Sequence, residues 1–360
     1  MASIEKRPDG TYRARWREFP GGPQKTKRFD RKGDAERFTD ALRGDLARGV
    51  YIDPQAGRIR FQDYAEQWRA GQLHRRSTAT QTETYLRLHA YPIFGHLPLG
   101  AVRRIDIQSW VKGRSEVLAP GSVELVYRWV ATIFKSAVAD RLIPASPCLR
   151  ITLPKKTRAE IIPLSIEQVT TLADSMPRCY RALVLFSAGT GMRQGECFGL
   201  TVDRIDFLRR TVRVDRQLVG AVGGLPEFGP PKSEASQRTV LLPTTVVALL
   251  AAHLAEHREG PQRLVFTNTE QRPLRRNTFN TAWHRAADAN GLPGTATFHD
   301  LRHFYASLLI ARGCSVKAVQ HRLGHNSAME TLDTYAHLWP DSDNETREAV
   351  DGAFASIRIA

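Results

Sequence analysis

Histidine, arginine and tyrosine gather toward the end of this chain. The run Phe298-His-Asp-Leu-Arg-His303 is followed by Leu323-Gly-His325 and then by Thr331-Leu-Asp-Thr-Tyr335-Ala-His337, with few acidic neighbours. Imidazole, guanidinium and phenol together suit work on a phosphate. If Leu301 begins or continues a helix, His299 and Arg302 stand three apart, project from one side and can donate hydrogen bonds to one anion. Tyr335 is then the candidate for chemistry on that anion. Upstream, Gly189-Thr-Gly191 breaks the apolar run Tyr180 to Ala188 just before Met192-Arg193-Gln-Gly-Glu196. Arg193 therefore falls at or near a helix start, where unpaired backbone N–H groups favour an anion. The same spacing would also let it pair with Glu196 on a helix surface, a contact of little energy. Lys232 lies in Pro230-Pro231-Lys232-Ser-Glu-Ala-Ser236-Gln-Arg238, which its prolines keep out of a helix, directly before an apolar strand.

These residues need a large framework to bring them together. With 360 residues and 42% apolar content the chain is long enough for two or three domains, each with its own core. Lys and Arg outnumber Asp and Glu by 52 to 37, giving a net charge of +15 and a pI near 10.0. That balance favours a polyanionic partner such as nucleic acid, with an anionic membrane surface as the alternative. The first residues hold no apolar signal region, and the most apolar run, around Thr245 to Ala255, is too short to span a bilayer, so a cytoplasmic protein is expected. Cys148, Cys179, Cys197 and Cys314 are scattered, without a Cys-x-x-Cys pair or zinc-like spacing, and read as reduced, packed thiols.

Three segments follow from the patterning. In residues 1–57, Ile4 to Arg7, Thr11 to Glu18 and Gln24 to Phe29 read as strands, punctuated by Pro8-Asp9-Gly10 and Pro20-Gly-Gly-Pro23. Tyr12, Ala14 and Trp16 alternate with Arg13, Arg15 and Arg17, so one face is apolar and the other a row of guanidiniums. Ala35, Phe38, Leu42 and Leu46 recur at helical spacing, predicting one helix over the apolar face. The arginine face can then enter a DNA groove, and Arg13, Arg15, Arg17, Lys25 and Lys27 are candidate DNA contacts against the plainer explanation of solvated charge. Residues 58–153 read as all-helical, with stripes at Phe61 to Trp68, Thr82 to His89, Ile105 to Lys112 and Ser122 to Ala139. Pro92 to Gly100 reads as a turn-rich loop, Ser122 as a cap, and Arg75 and Arg76 as candidate backbone contacts. From Ser165 onward helices resume around a small sheet, in which Ile205 to Phe207 and Thr211 to Val214 form a hairpin and Arg238 to Leu242 a third strand.

Taken in order, Gly191-Met-Arg193-x-x-Glu196, Lys232-x-x-x-Ser236-x-Arg238, His299-x-x-Arg302, Leu323-Gly324-His325 and Tyr335 resemble the catalytic signature of the tyrosine recombinases, or phage integrase family. The resemblance covers roughly residues 160 to 345. It implies a mainly α multidomain protein: an arm-site-binding sheet-plus-helix domain (1–57), a helical core-site-binding domain (58–153) and an α+β catalytic domain with a tail helix (160–360). It also implies DNA cleavage and rejoining through a 3′-phosphotyrosyl bond, without cofactor or metal. Arg193 and Arg302 would clamp the non-bridging oxygens, and His325 would add a donor. His299 would bond the phosphoryl group or take the phenolic proton. Lys232 would protonate the leaving 5′-oxygen, and Arg238 would contact DNA. Tyr335 would be the nucleophile. His303 and His337 are read as supports, Glu196 and Asp300 as capping or supporting groups, and Cys197 as a packing substitution for a larger aliphatic residue. The expected partners are double-stranded DNA at core and arm attachment sites and three further copies in a tetramer, with a host DNA-bending protein and a directionality factor as further candidates. The expected place is a bacterial cytoplasm, on the nucleoid when bound to DNA. Two other functions fit the scaffold: a DNA-binding regulator without catalysis, and a type IB topoisomerase. In the tail, Val350, Phe354 and Ile357 form an apolar edge for docking in cis or in trans.

Overall fold

The computed structural model describes residues 2–17, 21–49, 51–53, 55–156, 160–339 and 343–355. The chain divides into two compact units, 1–158 and 159–360. In the first unit, β1 (Ser3–Lys6), β2 (Tyr12–Arg17) and β3 (Gln24–Phe29) pair antiparallel in that order, and α1 (Lys32–Ala47) follows. The first turn closes because the Asp9 carboxylate accepts the Thr11 N–H at 3.1 Å, while Gly10 takes φ +82°, open to glycine. Trp16 is 6% exposed and meets Phe38 of α1 edge-on at 5.3 Å between ring centroids, with Leu42 buried beside it. The sheet is therefore covered on the face expected. The expected strand end Glu18 and turn residue Pro20 lie outside the described residues.

Strand register corrects part of the expected DNA contact set. Ala14 is paired with Lys27 and Trp16 with Lys25, and directly opposed residues share a face. Lys25 and Lys27 thus stand on the side of α1, away from the arginine row. Lys25 pairs with Asp53, and Lys27 Nζ lies 4.8 Å from the Phe38 ring centroid, its stem along apolar surface. Arg13 is instead paired with Arg28, which adds a guanidinium to the face of Arg13, Arg15 and Arg17.

The rest of this unit is helical: α2 (Phe61–Ala70), α3 (Arg76–Tyr85), a π-helical stretch Leu86–Gly95, α4 (Arg104–Ser115) and α5 (Pro120–Ala139). Pro92 to Gly95 was expected in a loop, yet the helix runs on through it. Leu86, Ala90 and Phe94 are almost fully buried, and Phe61 packs on Phe94 at 4.9 Å, so core packing holds a wider helix around the proline that lacks an N–H. Ser122 does not cap α5. Pro120 occupies the first turn, where its missing N–H costs nothing, and Ser122 falls inside the helix. Arg75 and Arg76 are both exposed at the start of α3.

The second unit runs α6 (Ile166–Ser175), α7 (Arg178–Thr190), α8 (Gln194–Phe198), β4 (Ile205–Asp206), β5 (Thr211–Val214), β6 (Gln217–Val222), β7 (Leu225–Gly229), β8 (Arg238–Leu241), α9 (Thr244–Glu256), α10 (Arg276–Ala289), α11 (Asp300–Ala311), α12 (Val316–Leu323), α13 (Ala328–Tyr335) and α14 (Asp343–Phe354). The expected hairpin and third strand form the sheet β4-β5-β8. A second hairpin, β6-β7, was not foreseen, although Gly223 and Gly224, at φ +58° and +81°, supply the two positive-φ positions of a tight hairpin turn. The main core gathers Phe186, Phe198, Phe266, Phe279, Trp283 and Leu301, and α7 threads it with nine buried residues. Among the described residues no helix is long and apolar enough to cross a membrane. On α14 Val350 and Phe354 are exposed, at 48% and 57%; Ile357 lies outside the described residues.

Candidate active site

Two left-handed glycines build the frame of the site. Gly191 ends α7 at φ +63° and Gly324 ends α12 at φ +65°. Turning the chain this way points backbone carbonyls inward. Arg302, on the first turn of α11 and 1% exposed, donates from Nη1 to Gly191 O at 2.8 Å and from Nη2 to Leu323 O at 2.6 Å. Arg193, at the N-cap of α8, donates from Nη2 to Gly324 O at 3.1 Å and from Nη1 to Ser236 Oγ at 3.1 Å. Consecutive carbonyls at 323 and 324 thus hold the two guanidiniums, and His325 comes next. A guanidinium has five N–H donors. Gly191 and Leu323 occupy two of Arg302's, and Gly324, Ser236 and Glu196 occupy three of Arg193's, so each keeps donors for an anion.

Glu196 is the counter-charge. It caps Arg193 N–H at 3.0 Å and accepts Arg193 Nη1 at 3.0 Å, but with its side chain 2% exposed it is no surface partner. Its Oε2 also accepts Arg238 Nη2 at 2.9 Å. Burial pushes its pKa up, but the charges and hydrogen bonds of Arg238 and Arg193 outweigh that, leaving it below the usual carboxylate range. This corrects the expectation that Arg238 contacts DNA. Its side chain is 3% exposed, and its donors are committed to Glu196, Arg322 O and Ser236 O at 2.9, 3.1 and 3.0 Å. Arg238 ties β8 and the segment before it to the end of α12, just ahead of the 323–325 turn.

Tyr335 closes α13 and is 1% exposed. Its ring stacks on His325 at 6.4 Å between centroids and 8° between planes, and its hydroxyl is 2.8 Å from His303 Nδ1. Burial raises its pKa to about 12, with Arg302 opposing and Glu330 and Asp300 adding, so the phenol is protonated near neutrality. His325 Nδ1 is 2.9 Å from Thr331 Oγ1, and desolvation followed by the charges of Arg302 and Arg193 lowers its pKa to about 3. His299 is exposed at the N-cap of α11. Crowding still lowers its pKa to about 4, through lost hydration first and then His303 and Arg302. Both rings are neutral at pH 7.

Arg193, Arg302, His299, His325 and Tyr335 are thus brought into one site. Lys232 is not: it is exposed on the connection after β7 and makes no ion pair or hydrogen bond among the described residues. Ser236, four residues on, anchors that connection to Arg193. His337 is exposed and bonds Ile161 O at 3.0 Å. Asp300 is the first residue of α11, whose N-cap His299 makes no side-chain cap; its carboxylate instead accepts the Thr297 N–H at 2.6 Å and braces the turn before the helix, a supporting role. Cys197 is fully buried, with Sγ 3.7 Å from Met192 O. The sequence did not disclose the contact of His303 with Tyr335; only its place four residues after His299 on the same helix could have suggested it.

The match to known proteins gives the family in which this frame sits. Residues 157–341 match the model of the Phage integrase family. The chain belongs to that family, the tyrosine recombinases. It is 29% identical over 350 residues to a putative prophage phiRv2 integrase of Mycobacterium tuberculosis, covering 92% of this chain and 91% of that one. Among solved structures it is similar to the Tn1549 transposon integrase in complex with a circular intermediate DNA, with a TM-score of 0.70 and 19% identity over 82% of this chain and 99% of the other. It also resembles a lambda integrase tetramer bound to a Holliday junction, with a TM-score of 0.60 and 18% identity over 91% and 96%. Family membership fits the mainly helical fold with its small sheets, and the catalytic frame falls within the matched segment.

Proposed function

We propose that this site-specific recombinase, which integrates or excises a phage or another mobile element, cleaves and rejoins double-stranded DNA through Tyr335. The observation that carries the assignment is the turn 323–325, whose carbonyls hold Arg302 and Arg193 while His325 stacks on Tyr335. A phosphodiester resists attack because charge builds on its non-bridging oxygens, and preorganised donors lower that barrier most. The free donors of Arg193 and Arg302 meet those oxygens, and neutral His299 and His325 add hydrogen bonds. Because Tyr335 is buried, a phosphate reaches it only after local opening around α13. Attack leaves a 3′-phosphotyrosine and a 5′-hydroxyl that receives its proton from Lys232, on its exposed connection. The bond energy stays in the ester, so an incoming 5′-hydroxyl can rejoin the strand.

The finer assignments extend this reading. Arg13, Arg15, Arg17 and Arg28 face arm-site DNA, and Arg75 and Arg76 face the core-site backbone. Residues 1–57, 58–153 and 160–360 work as three domains. Four copies assemble on paired sites in the cytoplasm of a bacterial host, as the lambda integrase tetramer on a Holliday junction encourages, with a host DNA-bending protein and a directionality factor assisting. The test is a nicked duplex carrying the core site read from the element's own junctions. The protein should form an SDS-stable adduct with it, and Tyr335→Phe should form none. An adduct persisting in that variant overturns Tyr335 as nucleophile, and binding without any adduct in the unmodified protein revives the regulator.

A further inference from the structure

A tyrosine nucleophile has to lose its proton as it attacks, and the groups able to take it are few. Among the described residues the Tyr335 hydroxyl has one hydrogen-bond partner, His303 Nδ1 at 2.8 Å, a distance at which a proton can pass directly. His325 stacks flat on the phenol, and its Nδ1 is engaged with Thr331 Oγ1, which leaves it poorly aimed at the hydroxyl. His299 makes no bond to Tyr335; its ring instead stands edge-on to His303, 4.9 Å between centroids and 88° between planes. His303 also sits one residue after Arg302 on α11, so the helix that presents a phosphate clamp presents this imidazole with it.

We propose that His303 is a catalytic residue whose Nδ1 takes the phenolic proton as Tyr335 attacks phosphorus and returns it when Tyr335 departs on religation. The proposal rests on Tyr335 being the nucleophile. In the forward step the Oη–H bond breaks, the proton moves to Nδ1, and Oη bonds to phosphorus. The bond from phosphorus to the 5′-oxygen breaks, and that oxygen is protonated by Lys232. The reverse step restores both donors, so no other reactant is consumed. His299 is then free to hydrogen-bond a phosphoryl oxygen.

The surroundings keep His303 in the form this role needs. Burial, the largest influence, lowers its pKa; Asp300 on its own helix raises it, and Arg302 lowers it further. His299 faces it from the same helix, Tyr335 from α13, and His325 from the turn before α13, its own pKa lowered by His303. The Glu330 carboxylate of α13 raises the pKa of Tyr335. Neutral His303 can accept at Nδ1 while Nε2 carries the hydrogen, and the imidazolium formed during attack lies beside a phosphate that is turning more negative.

The experiment measures single-turnover adduct formation on the nicked core-site duplex for the unmodified protein, His303→Gln and His303→Ala, with thermal melting and DNA affinity as controls on folding. Glutamine keeps a hydrogen bond to the phenol but cannot take its proton. His303→Gln should be slower by about 10²-fold or more, the usual size of a general-base contribution. The rate of the unmodified protein should fall as pH drops through the His303 pKa, and that acid limb should vanish in His303→Gln. A second probe, the same duplex with sulfur replacing the 5′-bridging oxygen, needs no proton on its leaving group. It should restore Lys232→Ala and leave His303→Gln slow. A folded His303→Gln within threefold of the unmodified rate, or one restored by the sulfur substrate, overturns the proposal alone. If the unmodified protein forms no Tyr335 adduct, the underlying reading falls and this proposal falls with it.

Discussion

Glu196 shows how one buried carboxylate organises several cations. It lies between Arg193 and Arg238, with Arg302 completing a group of three arginines around one acid, so the site keeps a net positive charge while its geometry stays fixed. Arg302 itself stays charged at neutral pH, although burial and then Arg193 and Arg238 lower its pKa to about 9. Removing Glu196 leaves Arg238 buried and unpaired, a defect that costs about 3–5 kcal/mol. Glu196→Gln should therefore lower the urea midpoint of the second unit markedly. Its pH dependence follows from the lowered pKa. The stabilisation by Glu196 is complete above the ordinary carboxyl value of 4.5 and is lost as pH falls from there through the folded pKa. Stability measured from pH 6 downward should drop less steeply below about pH 4.5 in Glu196→Gln than in the unmodified protein. Equal slopes would show that Glu196 is not the titrating group.

Elements place these residues through their ends, and the ends explain what could be read in advance. Polar and apolar alternation at Tyr12 to Arg17, and apolar spacing at Ala35 to Leu46, are local, so the sheet and its covering helix were legible. The positions of Arg193 at a helix start and of His299 and Arg302 on one turn were legible for the same reason. Strand register was not, because it depends on which residue of β3 meets Ala14, and it is this register that sets Lys25 and Lys27 on the side of α1. Arg238 was misjudged because nothing in its sequence neighbours says that Glu196, 42 residues earlier, comes within 2.9 Å. The π-helical stretch at Pro92 was hidden because core burial overrode a local breaker. Gly191 shows what a helix end must satisfy. It needs φ +63°, and a Cβ there would stand 2.4 Å from Tyr305 Cδ1 on α11, the helix that also carries Arg302. Gly191→Ala combines the left-handed cost of about 1–2 kcal/mol with displacement of α11. It should lower the melting temperature and slow adduct formation more than it weakens DNA binding. Loss of binding without loss of rate would separate this turn from the Arg302 clamp.

At the scale of the whole molecule, the catalytic frame and the arginine-bearing sheet lie in different compact units. All seven residues proposed for chemistry, His303 among them, are in 159–360, whereas Arg13, Arg15, Arg17 and Arg28 share one sheet face in 1–158. The net charge of +15 strengthens binding to any DNA, but only charges fixed in a row can bind a chosen segment of backbone. The two tasks should therefore separate by substitution. Each phosphate contact contributes roughly 0.9 to the slope of log affinity against log salt concentration. Replacing the four sheet arginines by alanine should lower that slope by about 3 to 4 on DNA carrying an arm site. Adduct formation on the nicked core-site duplex should stay within about twofold of the unmodified rate, because that duplex offers no arm site for the sheet to hold. The change is confined to one face: Ala14 and Trp16 keep their packing against α1, and Lys25 keeps Asp53. If the salt slope on arm DNA does not move, the sheet is a solvated basic surface, and arm recognition must be sought in the helices of the same unit.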